Sequence, residues 1–334
     1  MTNTIPVSDL CPVVFNDWHI VGQSDCLAEG GSLTVSLLET ELLIWRHQGQ
    51  LAVVLDQCPH RGAKLSLGQV VDGLVHCPYH GWQFDQQGNC LLRPAQPTIT
   101  PSARSALKSF AVCERYGVIW VCLGDAERPV PEFVGLDDDY ELVITGPYRV
   151  NTSAPRAIEN FIDMAHFSFI HQGSLGSSGN SEIADYTVQT EAETLVASDC
   201  RARQPKAAAH LKDEVEIDYI YRILRPCTAM LSKQPLGQAD KPTDLIMLSL
   251  APEAEELVNA WMISALSYAK GKPQAEYAEF QEKIFLEDRA VLESQSPKKL
   301  PLNTTSEVSQ AADKFSVAYR HWLKSSGIRY GVLN

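Results

Sequence analysis

Two short stretches of this chain each carry one thiol and one imidazole. Cys58-Pro59-His60 is followed, after sixteen intervening residues, by Cys77-Pro78-Tyr79-His80. Pro59 and Pro78 fix tight turns, and Gly62 and Gly81 sit just beyond, where a backbone must pass close to a ligand. A Cys2His2 zinc site uses the same atoms, but its spacing is ordinarily C-x2–4-C followed by H-x3–5-H. Here each loop is mixed, which suits an iron–sulfur cluster with two Cys on one iron and two His on the other. The plain alternative is two buried cysteines beside surface histidines.

The second constellation is AIENFIDMAHFSFIHQG, residues 157–173. On a helix, Asp163 and His166 share a face at i,i+3. His166 and His171 are i,i+5 and converge only if the helix distorts, as a π-bulge or an unwound last turn before Gly173. Two imidazoles and one carboxylate make the facial triad of non-haem Fe(II) oxygenases. The carboxylate expected to complete it is Asp288, in EKIFLEDRAVLESQ (282–295), which shares a predicted helix with Phe285, Val291 and Leu292 on an apolar stripe. A carboxylate directed into such a stripe needs a cation to compensate it. Glu287 is expected to point elsewhere and is the alternative ligand. Taken alone, His166 and His171 read more readily as ordinary core or surface histidines than as ligands. The pair of Cys/His loops upstream tips the reading toward metal.

CPHRGA (58–63) and CPYHGW (77–82) resemble the loops of the Rieske family. Respiratory members carry an extra Cys in each loop. Ala63 and Tyr79 stand there instead, so the chain resembles the oxygenase and ferredoxin branch. ENFIDMAH-x4-H resembles the iron-binding segment of Rieske non-haem iron oxygenases. The resemblance implies a [2Fe–2S] cluster on Cys58, His60, Cys77 and His80, and a mononuclear Fe(II) on His166, His171 and Asp288. It implies that Asp163 is the electron-transfer bridge between subunits, accepting from His166 and from a Rieske histidine, here His80, of a neighbouring subunit. A homotrimer follows, since within one such chain the two sites lie too far apart for fast electron transfer. Asn160, one turn before Asp163, is expected to support the iron ligands, and Ile284, one turn before Asp288, either lines the substrate pocket or is plain core.

Function follows as expectation: O2 is co-substrate, electrons come from NAD(P)H through a separate ferredoxin or flavin reductase, and a small organic molecule is hydroxylated. ERYGVIWVCLGD (114–125), HFSFIHQGSLG (166–176) and FSVAYRHWLKSSGIRYGV (315–332) resemble the α3-type saxitoxin-biosynthesis hydroxylases, and more distantly dicamba- and vanillate-type demethylases. That suggests monooxygenation of a natural-product or alkaloid-like substrate. Oxidative O- or N-demethylation and aromatic cis-dihydroxylation are the alternatives within the class. Outside it stand a Rieske electron-transfer protein and a zinc-stabilised binding protein. Arg61 and Lys64 flank the first loop and either help dock an acidic donor or are solvated charges.

The elements that must hold these residues read as α+β. The first 125 residues are β-rich, with strands expected at Ser32–Leu38, Leu42–Arg46, Leu51–Leu55, Leu74–His76 and Gly117–Leu123, the last an apolar run buried on both faces. The charged and proline-containing 124–131 places a boundary, giving a Rieske domain over 1–125 and a catalytic domain over 126–334. The catalytic domain is expected to have an antiparallel sheet covered by helices, in the helix-grip manner that the resemblance implies. Its helices are expected from Pro155 to near Gly173, over 274–296 and around 314–324. Its strands are expected at 215–224, 245–250 and 258–265, with a flexible loop at 174–180. The 334 residues include 28 Lys and Arg against 41 Asp and Glu, a net charge of −13, which disfavours nucleic acid and anionic lipid as partners. No apolar run approaches the roughly 20 residues of a membrane span. MTNTIPVSDL does not read as a signal peptide. Nine cysteines, an odd count in a long chain, fit a reducing cytoplasm better than a disulfide framework.

Overall fold

Val118–Cys122 is buried at all five positions, as its unbroken apolar run requires, and it is the centre of a three-stranded antiparallel sheet. The structure is a computed structural model that describes residues 11–334 apart from 178, 180, 206–214, 238–241 and 272. The reading of residues 1–10 as no signal peptide lies outside the described residues, as does part of the loop at 174–180. Two compact units result: Phe15–Val130, and Pro131–Asn334 together with residues 11–14.

The first unit is all β. Its strands are β1 (His19–Gln23), β2 (Ser32–Leu37), β3 (Thr40–His47), β4 (Gln50–Leu55), β5 (Gln69–Val71), β6 (Leu74–His76), β7 (Gln83–Phe84), β8 (Cys90–Leu92), β9 (Ala111–Arg115) and β10 (Val118–Cys122). They form three antiparallel sheets ordered β1-β10-β9, β2-β3-β4 and β5-β6-β7-β8. The five expected strands are present. β5, β7 and β8 are two or three residues long, too short to leave a periodic signal. Trp45, Val54 and Phe84 are fully buried, and the same core cluster includes Cys58 and Cys77. Burial of each such side chain contributes about 1.5–3 kcal/mol, and the Trp45 indole also donates to the Gly73 carbonyl at 3.1 Å.

The second unit is built on β11 (Glu141–Val150), β12 (Thr187–Glu191), β13 (Thr194–Gln204), β14 (Val215–Arg225), β15 (Thr228–Pro235), β16 (Asp244–Ala254) and β17 (Leu257–Leu266). They make one antiparallel sheet ordered β11-β17-β16-β15-β14-β13-β12. The period-2 alternation sends one set of side chains to a single face, among them Tyr219, Leu231, Ile246, Met262 and Val143, which together line a cavity. The helices are α1 (Ala154–Phe161), α2 (Phe167–Ile170), α3 (Ala275–Ser294) and α4 (Lys314–Ser326). α3 lies against β11 and α1. Asn151, just past β11, donates to Glu293 of α3 from both its backbone and its side chain at 3.0 Å. α1 and α4 are joined by buried charge: Arg156 and Arg320 both engage Glu159 and Glu307, at 2.6–3.2 Å.

One expected helix is corrected. The segment 155–173 is not continuous. Ser153 caps α1 by accepting from the Arg156 amide, Pro155 sits in the first turn, and the helix stops at Phe161. A turn follows in which Asp163 Oδ1 accepts the Ala165 amide at 2.8 Å, and only then does the four-residue α2 begin. An Asp side chain that bonds the nearby backbone competes with the helical ladder, which is why the pattern breaks there. Asp163 and His166 thus lie in the turn rather than on a helix face. Val291, expected on the apolar stripe of α3, is 36% exposed, whereas Phe285 and Leu292 are buried.

Candidate metal centres

The first candidate centre is formed by two loops that close in the same way. The Cys58 amide donates to the Ala63 carbonyl at 2.8 Å and the Gly62 amide to the Cys58 carbonyl at 2.9 Å. The Cys77 amide donates to the Trp82 carbonyl at 2.8 Å and the Gly81 amide to the Cys77 carbonyl at 3.0 Å. Each closure needs a left-handed residue at its fifth position, supplied by Gly62 (φ 72°) and Gly81 (φ 69°). The result brings Cys58 and Cys77 together in the core and sets the His60 and His80 rings edge to face, 4.5 Å apart. Trp82 stacks on His60 at 4.7 Å, a contact the sequence reading did not anticipate. Burial, then the neighbouring Cys77, pushes the Cys58 thiol up to about 11. His60 Nδ1 is buried with no hydrogen-bond partner in the protein. Two crowded cysteine sulfurs in the core, beside an orphaned ring nitrogen, are what a cationic cluster with two sulfur and two nitrogen ligands would satisfy. The residues fit a [2Fe–2S] group.

The second candidate centre belongs to the other unit. His166, at the start of α2, and His171, at its end, come within 5.0 Å, ring centroid to centroid. Breaking the helix, rather than distorting it, is what lets residues at i,i+5 converge. Asp288 on α3 meets both: its Oδ1 is 3.1 Å from His171 Nε2 and 3.5 Å from His166 Nε2. One donor atom from each of the three lies within 4.8 Å of the others. The far edges of both rings are held by further carboxylates. Asp163 Oδ2 is 3.3 Å from His166 Nδ1, and Glu287 Oε2 is 2.8 Å from His171 Nδ1. The expectation that Glu287 points elsewhere is therefore corrected. The second half of α3 turns both consecutive acids toward His171, one to each nitrogen. Asn160 on α1 donates to Asp288 Oδ1 at 3.4 Å.

His171 is fixed by its backbone as well. Its carbonyl accepts from Ser174 Oγ and from the amides of Ser174, Leu175 and Gly176, at 2.9–3.2 Å. Burial disfavours its charged form, but Asp288 and then Glu287 outweigh burial and raise its pKa above the ordinary value. An imidazole that draws a cation between itself and a carboxylate would exchange a proton for a divalent metal, and outer carboxylates on both rings would leave Nε2 as the ligand atom. Two nitrogens and one carboxylate on one side of an open cavity suit Fe(II) with positions left for small ligands.

The cavity above these three residues has about 1090 Å³ of free space counted out to its mouth. Its wall is mostly apolar and aromatic, with Phe161, Phe167, Tyr219, Phe280 and Phe285 among the lining, and Ile284 is part of it while only 7% exposed. Lys233 and Asp244 also line it, and nothing in their local sequence marks them, since a buried pair on adjacent strands is set by register alone. Among the described residues no helix is long and apolar enough to cross a membrane.

Comparison with known proteins finds one family on each unit. Residues 17–111 match the family described as Rieske [2Fe-2S] domain, and residues 150–327 match Vanillate O-demethylase oxygenase C-terminal domain. Methylxanthine N1-demethylase NdmA of Pseudomonas putida is 31% identical over 304 residues, 88% of this chain and 82% of that protein. A protein of Pseudomonas sp. (strain TJI-51), named "Probable methylxanthine N7-demethylase NdmC", is 39% identical over 65% of this chain and 77% of its own. Among solved structures, Pseudomonas putida CBB5 NdmA with caffeine superposes with a TM-score of 0.81 at 30% identity, covering 94% of this chain and 91% of that one. These relatives lie on the demethylase side of the class. With two family models matched over both units and a relative of this identity over most of its length, the chain belongs to the Rieske non-haem iron oxygenases, which carry a [2Fe–2S] cluster and a mononuclear iron and draw electrons from a separate reductase or ferredoxin.

Proposed function

We propose that this oxygenase removes a methyl group from a flat N-methylated heterocycle, with Cys58, His60, Cys77 and His80 holding the cluster and His166, His171 and Asp288 holding the iron. The observation that carries the reading is the position of the three-residue centre at the wall of an aromatic-lined cavity, which suits a planar substrate presented edge-on. The relatives named above are methylxanthine demethylases by name, which favours N-demethylation over hydroxylation of a natural product. Iron bound there would supply activation of O2 against the methyl C–H bond. The protein's part is to hold the substrate against the Phe161 and Phe285 side of the cavity, to exclude bulk water with that apolar wall, and to keep both Nε2 atoms aimed by Asp163 and Glu287.

Domain limits of 1–125 and 126–334 belong to the same proposal, as does a homotrimer. Asp163 is 35% exposed at its side chain while holding His166. His80 is exposed on its own unit. An accessible carboxylate and an accessible imidazole suit a bridge between neighbouring subunits. Nine free cysteines suit a cytoplasmic setting.

The experiment is turnover under labelled O2 with NADH, a generic reductase and a panel of N-methylated and O-methylated aromatics, reading formaldehyde and product mass. Formaldehyde matching substrate loss supports demethylation. A product that gains labelled oxygen and keeps its methyl would overturn demethylation and restore the hydroxylase reading.

A further inference from the structure

Among the described residues, the charged side chains that line the cavity, apart from the three candidate iron ligands, are Lys233 and Asp244. They are cross-strand partners on β15 and β16, both about 5% exposed, with Lys233 Nζ 3.9 Å from Asp244 Oδ2. Around them the wall is apolar: Leu231, Ile246, Leu266 and Val143. A buried ion pair is a poor stabiliser, because desolvation consumes what the attraction returns, and well-packed apolar residues usually do as well. Its presence in a cavity wall therefore asks for a reason other than stability.

At 3.9 Å the two groups attract without a direct hydrogen bond. An ammonium has three donors and a carboxylate about four acceptor sites, so each can serve the protein and still offer capacity to a ligand. Tyr268 lies beside Asp244, and its ring packs 5.6 Å from Tyr277 at the start of α3. On the same cavity face, Ser264 is 5% exposed and its hydroxyl, buried, has no hydrogen-bond partner in the protein. A buried hydroxyl left so in a cavity wall points to a polar ligand atom. The four residues sit together by register: Asp244 pairs with Leu266, two residues from Ser264, and Lys233 pairs with Asp244.

We propose that Lys233, Asp244, Tyr268 and Ser264 form a recognition subsite for the lactam or imide edge of a neutral heterocycle. The ligand carbonyl accepts from Lys233 and the adjoining ring N–H donates to Asp244. The pair is neutral overall, so it matches a ligand presenting donor and acceptor side by side. A lone carboxylate or ammonium would meet one attractive and one repulsive charge. Eleven residues of α3 separate Tyr277 from Asp288, about 16 Å between backbones at 1.5 Å per residue. Side chains reach inward from both ends. The recognised edge is therefore at the end of the substrate opposite the carbon that is oxidised. This deepens the proposed demethylation by naming the unmethylated edge the site reads.

The test is equilibrium binding by calorimetry to the iron-loaded protein, without reductant. The probes are 7-methylxanthine, which keeps N–H groups beside its carbonyls, and caffeine, whose ring nitrogens are all substituted. Wild type is expected to bind 7-methylxanthine at least tenfold tighter than caffeine. Lys233→Met with Asp244→Leu, made together so that no lone charge is buried, should abolish the difference while leaving caffeine affinity within about twofold. Tyr268→Phe, which leaves both charges in place, should reduce the preference in the same direction and guards against a folding defect in the double variant. Binding of neither probe, equal binding of both, or a preference that survives the double variant overturns the subsite. Tight binding of 7-methylxanthine with no formaldehyde on turnover would sink demethylation and leave the subsite standing. Equal demethylation of both probes with equal affinity would do the reverse.

Discussion

Glu287 holds the Nδ1 edge of His171 at 2.8 Å, on the opposite side of the ring from Asp288. The imidazole is thus oriented by one acid and faces a second, its immediate neighbour in sequence, across the intended metal position. Outer carboxylates of this kind fix the tautomer and raise the basicity of a ligating histidine. Glu287→Ala is expected to weaken iron binding at the mononuclear site by roughly 10–100-fold, and Glu287→Gln by less, because the amide oxygen still accepts from Nδ1. Iron titration of the apoprotein would show this. Unchanged affinity in Glu287→Ala would mean that the contact does not orient the ligand.

Asp288→Ala and His166→Ala should each lose the mononuclear iron while the cluster's visible absorbance stays at the wild-type level, because the two centres belong to separate units. Metal analysis alongside the absorption spectrum distinguishes this from general unfolding. Full iron content in Asp288→Ala would remove Asp288 from the ligand set.

Asp163→Asn tests the bridge. The amide can still accept from His166 through its oxygen, so iron should be retained, but the negative charge is gone. Turnover should fall on the order of 10–100-fold, the range seen when carboxylates next to ligating residues are lost. Reduction of the cluster by dithionite should be unaffected. An unchanged turnover number would remove Asp163 from the electron route.

Ile284→Trp fills cavity space one turn of α3 before Asp288. If Ile284 faces substrate, kcat/KM should drop at least about tenfold with iron content intact, since the side chain adds bulk where a ring must sit. If it is plain core, overpacking should cost about 1–3 kcal/mol of stability and leave KM unchanged in the surviving folded enzyme.

The acid limb of stability should depend on Glu307. Hydrogen bonds from Arg156, opposed by partial burial and helped by Arg320, hold its carboxyl down to about 2. A carboxylate whose folded pKa is depressed contributes stability above its unfolded pKa of about 4.3, and that contribution is lost as pH falls toward 2. Glu307→Gln should therefore cost roughly 1–3 kcal/mol at neutral pH, less than a fully unpaired buried charge because Glu159 still engages both arginines. The difference between variant and wild type should vanish below about pH 2–3. Denaturant midpoints across pH would show a constant gap if Glu307 carries none of it.

Val118–Cys122 and Ala275–Ser294 were legible in the sequence, the first from an unbroken apolar run and the second from twenty residues without Pro or Gly. β12 and β13 were not, because their polar positions dilute the alternation and only pairing with neighbours makes them strands. The break between α1 and α2 was half legible. The spacing of His166 and His171 required a distortion, but the Asp163–Ala165 turn that provides it is visible only in three dimensions.

The sequence by itself determined the first centre. Cys58, His60, Cys77 and His80 sit in two loops whose turns are closed by hydrogen bonds spanning four or five residues, so local chain geometry specifies them. It also determined that His166 and His171 belong together. The tertiary structure decided which acid of α3 faces which nitrogen of His171, because that depends on the rotation of a helix packed 116 residues away in sequence. It alone placed Lys233 opposite Asp244 in the cavity wall, because strand register sends a side chain to one face or the other and a single-residue slip would turn both away.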